Sequence, residues 1–279
     1  MQVPKGLGPL LDAGMITEVI RPLLSGKEAQ VYLVASDGEL RVAKVYKHAT
    51  QRTFKHRSVY TEGRKTRNSR DQRAMSKRSR HGRERDEAAW RSAEVDMIYR
   101  LRDAGVRVPT PYGFVDGVLL MELVQDADGE PAPRLCEVDM SAEEAEVVFD
   151  FLIREVVKML CAGVVHGDLS DFNVLMGADG PVVIDFPQSM DAADNQAAKK
   201  ILVRDVANLN RFLRDFGPTK RPLHHAEEMW ALFASGKLRP DSPLTGKFKG
   251  SNRTVDMKAL RDELEAAKQD VMQRRGKTG

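Results

Sequence analysis

One segment in the second half of this chain constrains its fold more than any other feature. It runs from His166 to Asn173, with the sequence His-Gly-Asp-Leu-Ser-Asp-Phe-Asn, and a second aspartate, Asp185, follows twelve residues after it. Two apolar runs, 174–176 and 181–184, lie between them on either side of a Gly-Ala-Asp-Gly sequence. Apolar runs around a glycine-containing turn predict a short β-hairpin. The sequence therefore predicts a polar loop that leads into a hairpin, and a carboxylate where the hairpin ends.

The spacing of these polar residues resembles the catalytic loop of protein kinases. In that loop an aspartate accepts the proton of the substrate hydroxyl, and an asparagine five residues later holds a metal ion. On this alignment Asp168 is the catalytic base, and Asn173 and Asp185 are metal ligands. Metal-bound oxygens would neutralise and align a charged triphosphate while the base orients the nucleophile. The alternative is an ordinary loop whose side chains form Asx turns and caps; the apolar run that ends at Asp185 favours the kinase interpretation.

Two β-hairpins are predicted in the first half of the chain. The first pairs Val31–Ala35 with Leu40–Tyr46, and the second pairs Gly113–Val115 with Val118–Glu122. Each is predicted to turn at an Asp-Gly dipeptide, which is the strongest short-range signal for a hairpin turn. A short helix over Pro9–Ile20 is predicted to precede them.

Helices are predicted for most of the remainder. One extends over 86–101, and another begins at the capping box formed by Ser141 and Glu144 and ends near Gly163. The other predicted helices are Lys199–Phe216, Ala226–Phe233 and Val255–Arg274. Strands that come first and helices that come later, with a Pro- and Gly-containing joint at 125–133, indicate a small sheet lobe on a larger helical lobe.

A lysine and a glutamate in the first half of the chain fit the same chemistry as the loop. Lys44 follows Val-Ala on the second strand of the first hairpin, where a kinase lysine reaches the α- and β-phosphates. Glu94, on the predicted helix 86–101, can form the ion pair that positions this lysine, and Glu87 on the same helix is the competing partner.

Two further segments are predicted to contact a nucleotide. Ser25-Gly26-Lys27 precedes the first predicted hairpin, where a kinase has its glycine-rich loop. Only one glycine is present, but the Ser25 hydroxyl and the Lys27 ammonium can bind phosphate oxygens. Met121 and Glu122 end the second hairpin, where a kinase backbone meets the adenine, with Met121 as an apolar wall. The alternatives are an ordinary strand-entry turn and a core methionine.

Charge is distributed unevenly along the chain. The segment 51–85 contains thirteen Lys or Arg and three Asp or Glu, a net charge of +10. The whole chain carries a formal charge of +3, so the remainder carries −7. A basic strip on an acidic body is typical of a surface that binds a polyanion such as RNA. A solvated, protease-sensitive loop is the open alternative.

Composition predicts a cytoplasmic globular protein. Hydrophobic residues make up 42% of the chain and charged residues 30%, as in typical globular domains. Cys136 and Cys161 have neither the spacing of a zinc site nor that of a disulfide framework, which favours a reducing compartment. The first residues show no signal-peptide pattern, and no apolar stretch reaches the length of a membrane span. No association with a membrane is therefore expected.

As an ordered set, these motifs are similar to those of the RIO family of atypical protein kinases. The resemblance extends from about Leu24 to Phe216. The matching segments are Ser25–Val31, Val42–Lys44, Trp90 with Glu94, Val108–Pro111, Leu119–Glu122, Pro131–Pro133, His166–Ser170 with Asn173, Ile184-Asp185 with Gln188, and Arg204–Asn208.

The resemblance implies ATP with Mg²⁺, or Mn²⁺ in its place, and activity as a Ser/Thr kinase or ATPase. It also implies that Asp185 can itself accept the phosphoryl group, and that ribosome-subunit maturation is the setting. The chain departs from the kinase pattern after Asp185, where Phe-Pro-Gln replaces Phe-Gly. No winged-helix domain fits before Ser25. The tail beyond Phe216 lies outside the resemblance, and its adjacent histidines, His224 and His225, are predicted to be surface or capping groups.

The expected fold is α+β and bilobal, like that of protein kinases. It has a small antiparallel sheet as the N-lobe and a helical C-lobe, and it lacks the usual activation loop and peptide-docking helices. The predicted division is an N-terminal segment 1–24, an N-lobe 25–124 with a basic insert 48–85, a linker 125–133, a C-lobe 134–217 and a helical extension 218–279.

The leading functional hypothesis is a RIO-like Ser/Thr kinase or ATPase that acts on a protein substrate or a ribosomal particle. The basic strip 51–85 would dock on RNA or on that particle. One alternative is a small-molecule kinase of the aminoglycoside or choline kinase type, which shares the His-Gly-Asp loop. The other is a non-catalytic RNA-binding scaffold that uses the nucleotide as a conformational switch.

Overall fold

The computed structural model describes residues 4, 6–26, 29–46, 94–193 and 197–248. Several predictions fall on residues outside these ranges. They concern Lys27, Glu87, the basic insert, residues 86–93 of the predicted second helix and the predicted helix Val255–Arg274.

A five-stranded antiparallel sheet forms the N-lobe. A short helix, α1 (Gly8–Asp12), precedes its first strand. Its strands are β1 (Glu18–Ser25), β2 (Ala29–Ser36), β3 (Glu39–Tyr46), β4 (Pro111–Val115) and β5 (Val118–Glu122), in the order β1-β2-β3-β5-β4. The α2 helix lies between β3 and β4 in the chain, and its described part covers 94–103.

Both predicted hairpin turns are confirmed. Asp37 and Gly38 join β2 to β3 with φ of 53° and 81°, and Asp116 and Gly117 join β4 to β5 with φ of 46° and 82°. Two successive residues with positive φ form the turn whose twist matches that of the flanking strands, and Asp-Gly is the dipeptide that adopts it most readily. The register that follows places Lys44 opposite Val31 on one side and Leu119 on the other.

The helix predicted over Pro9–Ile20 is wrong beyond its first turn, because α1 ends at Asp12 and β1 begins at Glu18. Pro22 lies within β1, next to a register shift in its pairing with β2. A sheet tolerates proline at an edge strand or a bulge, because no partner there needs its missing N–H. The predicted boundary between residues 24 and 25 falls inside this strand.

Three helices make up most of the C-lobe: α3 (Ala142–Cys161), α4 (Ala198–Asp215) and α5 (His225–Ala234). The predicted capping box begins α3, where Ser141 Oγ accepts from Glu144 N at 3.2 Å and Glu144 Oε2 accepts from Ser141 N at 2.8 Å. The helix ends just before Gly163, whose φ is 72°, as a C-terminal glycine predicts.

Two small two-stranded sheets and two single turns of 3₁₀ helix complete this lobe. β6 (Val164–Val165) pairs with β9 (Met190–Asp191), and β7 (Val174–Gly177) pairs with β8 (Gly180–Val183). The second pair confirms the hairpin predicted after the polar loop. The 3₁₀ turns are Leu135–Glu137 and Asp171–Asn173. The segment 125–133, predicted as a linker, forms a compact loop in which Gln125 pairs with Pro131.

The largest buried cluster runs without a break from the sheet into the helical lobe. It includes Leu119 of β5, Ile98 of α2, Phe149 of α3 and Leu209 of α4. His225 belongs with this core, because it is 2% exposed and its ring lies 5.5 Å from that of Phe149. The prediction of a surface or capping role is therefore wrong for this histidine.

The exposed histidine beside it, His224, occupies the N-cap position of α5 without a side-chain cap bond. None of the helices in the described ranges combines the length and apolar composition that crossing a bilayer requires.

We expect the Ser141→Ala variant to lower the free energy of unfolding by about 1 kcal/mol, because it removes the acceptor that caps α3. Urea denaturation measures this loss. The Ser141→Asp variant is the control, because aspartate supplies another capping oxygen and should retain most of the stability. Equal stability of the alanine variant and the parent chain would contradict a capping role.

Candidate active site

A single lysine joins the two lobes at the centre of the site. Lys44 Nζ of β3 donates to Glu94 Oε1 of α2 at 2.8 Å and to Asp185 Oδ1, just beyond β8, at 3.0 Å. These partners are 50 and 141 residues away from Lys44 in the chain. Glu94 is 2% exposed, so its charge depends on this ion pair for compensation. The structure thus brings together three residues that the sequence assigned to one site.

The electrostatic balance favours the charged forms of Lys44 and Asp185. Burial alone would lower the pKa of Lys44, but the charges of Glu94 and Asp185 outweigh it and leave that pKa well above its usual value. Lys44 in turn lowers the pKa of Asp185 against the effect of burial. An ammonium between two carboxylates is the arrangement that positions a phosphate-binding lysine.

The predicted base and metal ligand lie next to each other in the polar loop. Asn173 Nδ2 donates to Asp168 O at 2.8 Å and to Asp168 Oδ2 at 3.3 Å. Because the amide nitrogen is occupied in this way, the amide oxygen remains as the atom that can bind a metal ion. Burial raises the pKa of Asp168; Arg204 opposes this rise and Asp185 adds to it. A carboxylate whose pKa is raised is a better proton acceptor.

The backbone that carries Asp168 is fixed by a glycine in a conformation few other residues adopt. Gly167 has φ of 85°, and a Cβ added there would lie 2.2 Å from the carbonyl oxygen of Gln188. Its N–H donates to Asp205 Oδ2 of α4 at 2.8 Å. The Arg204 guanidinium donates to its carbonyl oxygen. Gly167 therefore allows close approach of the 186–189 segment.

His166 is a buried structural group of the loop. Its Nε2 lies 3.0 Å from Ile184 O, and its ring packs at 5.0 Å from that of Phe186. Burial lowers the pKa of His166 to about 4, so the ring is neutral at physiological pH. Ser189 Oγ donates to its carbonyl oxygen at 3.1 Å. The histidine thus couples the catalytic loop to the residues on both sides of Asp185.

Asp185 lies in the left-handed region, with φ of 70°. The other non-glycine residues with positive φ among those described are the two turn aspartates, Asp37 and Asp116. Such a backbone costs of order 1–3 kcal/mol and persists where surrounding contacts impose it. Here Lys44 holds the side chain and the amide of the preceding residue, Ile184, donates to Asn173 O at 3.0 Å. The strained backbone directs the carboxylate toward Lys44.

The helix α4 supplies positioning residues to which the sequence analysis assigned no role. Asp205 receives the Gly167 amide, Arg204 binds the Gly167 carbonyl, and Asn208 Nδ2 donates to Leu169 O at 2.8 Å. Burial raises the pKa of Asp205 to about 6. The sequence signal for these residues was the segment Arg204–Asn208, which was among the segments that resemble the RIO family. No local sequence pattern predicts the roles of its residues.

Met121 and Glu122, at the end of β5, lie in different surroundings. Glu122 accepts from Arg107 Nη2 at 2.8 Å and from Thr110 N at 2.9 Å, and its own N–H donates to Thr110 O at 2.8 Å. Both its carboxylate and its amide are therefore engaged with the 107–110 segment. Met121 is half-buried and packs against the clusters of both lobes, a position that suits an apolar wall.

Ser25 lies at the exposed end of β1, opposite Gln30 of β2. The next residue, Gly26, donates its N–H to Ala29 O at 3.0 Å and closes a tight turn. In the described ranges, no hydrogen bond joins the Ser25 side chain to Lys44, Asp168 or Asp185. A role for Ser25 in phosphate contact stays a prediction, as does that of Lys27, which lies outside those ranges.

The donor set fits a hard, oxygen-seeking cation. Across the described part of the chain, no group of three or more His, Cys, Asp or Glu side chains is arranged to hold a metal ion. Asp185 and Asn173 together offer one carboxylate and one amide oxygen. Mg²⁺ is usually held by one or two carboxylates, with waters and substrate phosphates completing its coordination. The pair therefore suits a magnesium ion that arrives with a nucleotide.

We expect the Gly167→Ala variant to lose roughly 3 kcal/mol or more of stability, because the added Cβ meets backbone and the positive φ is strained. Thermal and urea unfolding measure this. The Gly105→Ala variant is the matched control: Gly105 has φ of 73°, but nothing lies within 4 Å of an added Cβ. It should lose only about 1–2 kcal/mol. Equal losses in the two variants would contradict the close contact with Gln188.

We expect the His166→Gln variant to resist acid better than the parent chain does. The folded-state pKa of His166 is about 4, below its unfolded value. The unfolded chain therefore binds more protons between these two pKa values, and stability falls as pH decreases through that window. The variant lacks this component, worth about 1.4 kcal/mol per pH unit at most. Urea unfolding of both proteins at about pH 7 and about pH 4.5 measures this difference. An equal loss of stability in the two proteins between these pH values would contradict the prediction.

Comparison with known proteins identifies the family to which this fold and site belong. The RIO domain family matches residues 30–226, so the match includes Lys44, Glu94, Asp168, Asn173 and Asp185 but not Ser25 or Lys27. It extends ten residues beyond Phe216, where the resemblance was expected to end.

Curated relatives of this chain include animal and archaeal proteins. The chain is 32% identical over 216 residues to the serine/threonine-protein kinase RIO1 of Caenorhabditis elegans, covering 75% of this chain and 39% of that protein. It is 32% identical over 210 residues to the Homo sapiens protein of the same name, covering 73% and 34%. It is 33% identical over 210 residues to the RIO-type serine/threonine-protein kinase Rio1 of Haloferax volcanii, covering 75% and 67%.

The aligned region thus spans between a third and two fifths of the animal relatives and about two thirds of the archaeal one. Because the family match covers most of the sequence and includes the charged centre, this protein belongs to the RIO family of atypical serine/threonine protein kinases.

Proposed function

We propose that this protein transfers the γ-phosphoryl group of ATP to a Ser or Thr hydroxyl of a protein, or to water. The observation that carries the proposal is the position of Lys44, which bonds Glu94 at 2.8 Å and Asp185 at 3.0 Å. Protein kinases need this lysine–glutamate pair and the neighbouring aspartate in place together. Membership of the RIO family favours a protein kinase over the small-molecule kinase alternative.

Each residue of the site has a role in this reaction. Lys44 would bind the α- and β-phosphates, Asn173 and Asp185 would hold Mg²⁺, and Asp168 would orient the attacking hydroxyl. When bound, Mg²⁺ neutralises charge on the triphosphate oxygens. The hydroxyl oxygen bonds to the γ-phosphorus, the bond to the bridging oxygen of ADP breaks, and the hydroxyl proton passes to the Asp168 carboxylate. The raised pKa of Asp168 suits it to accept that proton.

Asp185 is a second candidate acceptor of the phosphoryl group. Its side chain is 45% exposed in the cleft, and Lys44 lowers its pKa, so it is an accessible carboxylate at neutral pH. Transfer to a carboxylate oxygen would give an aspartyl phosphate that water then cleaves. This route accounts for ATPase turnover without a protein substrate.

The proposed partner is a protein or a ribosomal particle, with RNA bound through the strip 51–85. Support for the RNA contact is the net charge of +10 in that strip. The cytoplasm is the proposed compartment, because Cys136 and Cys161 are both free thiols. Proteins of reducing compartments usually keep their cysteines in this form.

We expect the Asp168→Asn variant to lower the rate of phosphoryl transfer at least about 100-fold, because the amide cannot accept the proton. Transfer from radiolabelled ATP to protein and to free phosphate measures this rate. The Asp171→Asn variant is the matched control: it removes a carboxylate from the same loop, and within the described part of the chain no hydrogen bond or ion pair joins the Asp171 side chain to Lys44 or Asn173. It should retain the parent rate. An Asp168→Asn variant as active as the parent would contradict the proposal and favour a non-catalytic scaffold.

A further inference from the structure

A row of cations lies along one exposed face of α4. Its members occur at intervals of four, seven and three residues, which places them within about 80° of one another around the helix. All four side chains are exposed: Lys200, Arg204, Arg211 and Arg214. The opposite face of the helix is apolar and buried, with Leu202, Leu209 and Phe212 in the core. We call this row the α4 basic face.

The α4 basic face begins at the catalytic loop. Arg204, 48% exposed, donates to the carbonyl oxygen of Gly167, the residue before the proposed base. One turn further on, Asn208 donates to Leu169 O. The rise of 1.5 Å per residue places Arg214 about 15 Å along the helix from Arg204. An extended peptide covers that distance with four or five residues. A chain whose hydroxyl meets Asp168 can therefore continue along these cations.

The cations of this face differ in their contacts with carboxylates. Arg204 pairs with the buried Asp205 at 3.3 Å, whereas Arg211 donates to the neutral side chain of Asn208. Among residues that the structure describes, no ion pair involves Lys200, Arg211 or Arg214. The exposed face of α3 has the opposite character, with Glu143, Glu144 and Glu146. Segregated charge of this kind creates a field that attracts a ligand of opposite sign.

A cavity of about 400 Å³ lies at the far end of the α4 basic face. Arg214, Thr219 and His224 contribute polar groups to its lining. Asn210 also lines it; its Nδ2 donates to Leu223 O, but its Oδ1 is buried without a hydrogen-bond partner. A peptide offers carboxylates that the exposed Arg214 guanidinium can bind.

We propose that the α4 basic face is the docking surface for an acidic segment of the protein substrate, which runs from the acceptor hydroxyl at Asp168 to the cavity beside Arg214. This inference rests on the proposed kinase function and specifies its substrate class: Ser or Thr with Asp or Glu within about four or five residues of it. A single-stranded nucleic acid is the less fitting occupant. Its binding relies on aromatic side chains that stack on bases, whereas the centre of this face is Ala207 and the aromatic Phe212 is buried.

Binding of labelled peptides to the full chain tests the proposal without requiring turnover. The probe is a peptide of about nine residues with a central Ser flanked by Glu, and the reference probe has Gln in place of Glu. The test variant is Lys200→Gln/Arg211→Gln/Arg214→Gln, which leaves Arg204 and the catalytic loop intact. The matched control is Arg102→Gln/Arg154→Gln/Lys237→Gln, which removes three exposed cations elsewhere on the described surface. The insert 51–85 is unchanged in all these proteins, so its contribution cancels.

We expect the test variant to bind the acidic probe about tenfold more weakly than the parent chain, and the control variant to bind within twofold. The Gln probe should bind all three proteins equally and weakly. In peptide phosphorylation, the test variant should raise KM by a similar factor with kcat unchanged, and its ATP hydrolysis should match that of the parent.

Three results would overturn the proposal. One is equal binding of the acidic probe by the test and control variants. Another is a parent chain that does not distinguish Glu from Gln. The third is a loss of affinity in the test variant that is larger for a single-stranded RNA of similar length than for the peptide, which would assign the face to nucleic acid. Because the binding measurements need no catalysis, a chain without kinase activity that still shows the expected binding would refute the proposed function alone.

Discussion

The shared ammonium of Lys44 is the interaction on which the site depends. Glu94 is buried and comes from α2, whereas Asp185 lies at the end of the second-lobe hairpin, and each would be an uncompensated charge without the lysine. Removing one partner from a buried ion pair usually costs more than the pair contributes, because the remaining charge stays buried. The Lys44 contacts therefore hold sheet and helical lobe in a position that keeps the residues proposed to bind phosphate and Mg²⁺ close together.

The catalytic loop is held from a second direction by α4. Asp205 and Arg204 bind the amide and the carbonyl of Gly167, and Asn208 binds the carbonyl of Leu169. These bonds fix the backbone on both sides of Asp168 and leave its side chain to Asn173. The same helix turns its charged face to solvent, so one element both supports the base and forms the surface beside it. The support of the loop explains why this amphipathic helix contains a buried aspartate, Asp205, since its carboxylate accepts from the Gly167 amide.

Sequence patterns that depend on near neighbours predicted most of this structure. The two Asp-Gly turns, the capping box at Ser141 and the hairpin before Asp185 each express a local preference, and all four are confirmed. The helix predicted over Pro9–Ile20 is wrong beyond Asp12, and from Glu18 onward pairing with β2 overrides the local pattern. The burial of His225 against Phe149 and the role of Asp205 could not be predicted, since both arise from contacts between segments far apart in the chain.

The packing around Phe186 has a consequence for how such an enzyme could be controlled. In many kinases the packing of the phenylalanine that follows the metal-binding aspartate determines whether the site is active or inactive. Here the Phe186 ring is buried and packs against the His166 ring, and the Gln188 carbonyl oxygen occupies the space that a side chain at position 167 would fill. Movement of Phe186 out of this position would therefore disrupt the core of the C-lobe. The buried packing of Phe186 therefore favours a site in which the aspartate before it keeps one position, so that control by a swing of this segment is disfavoured.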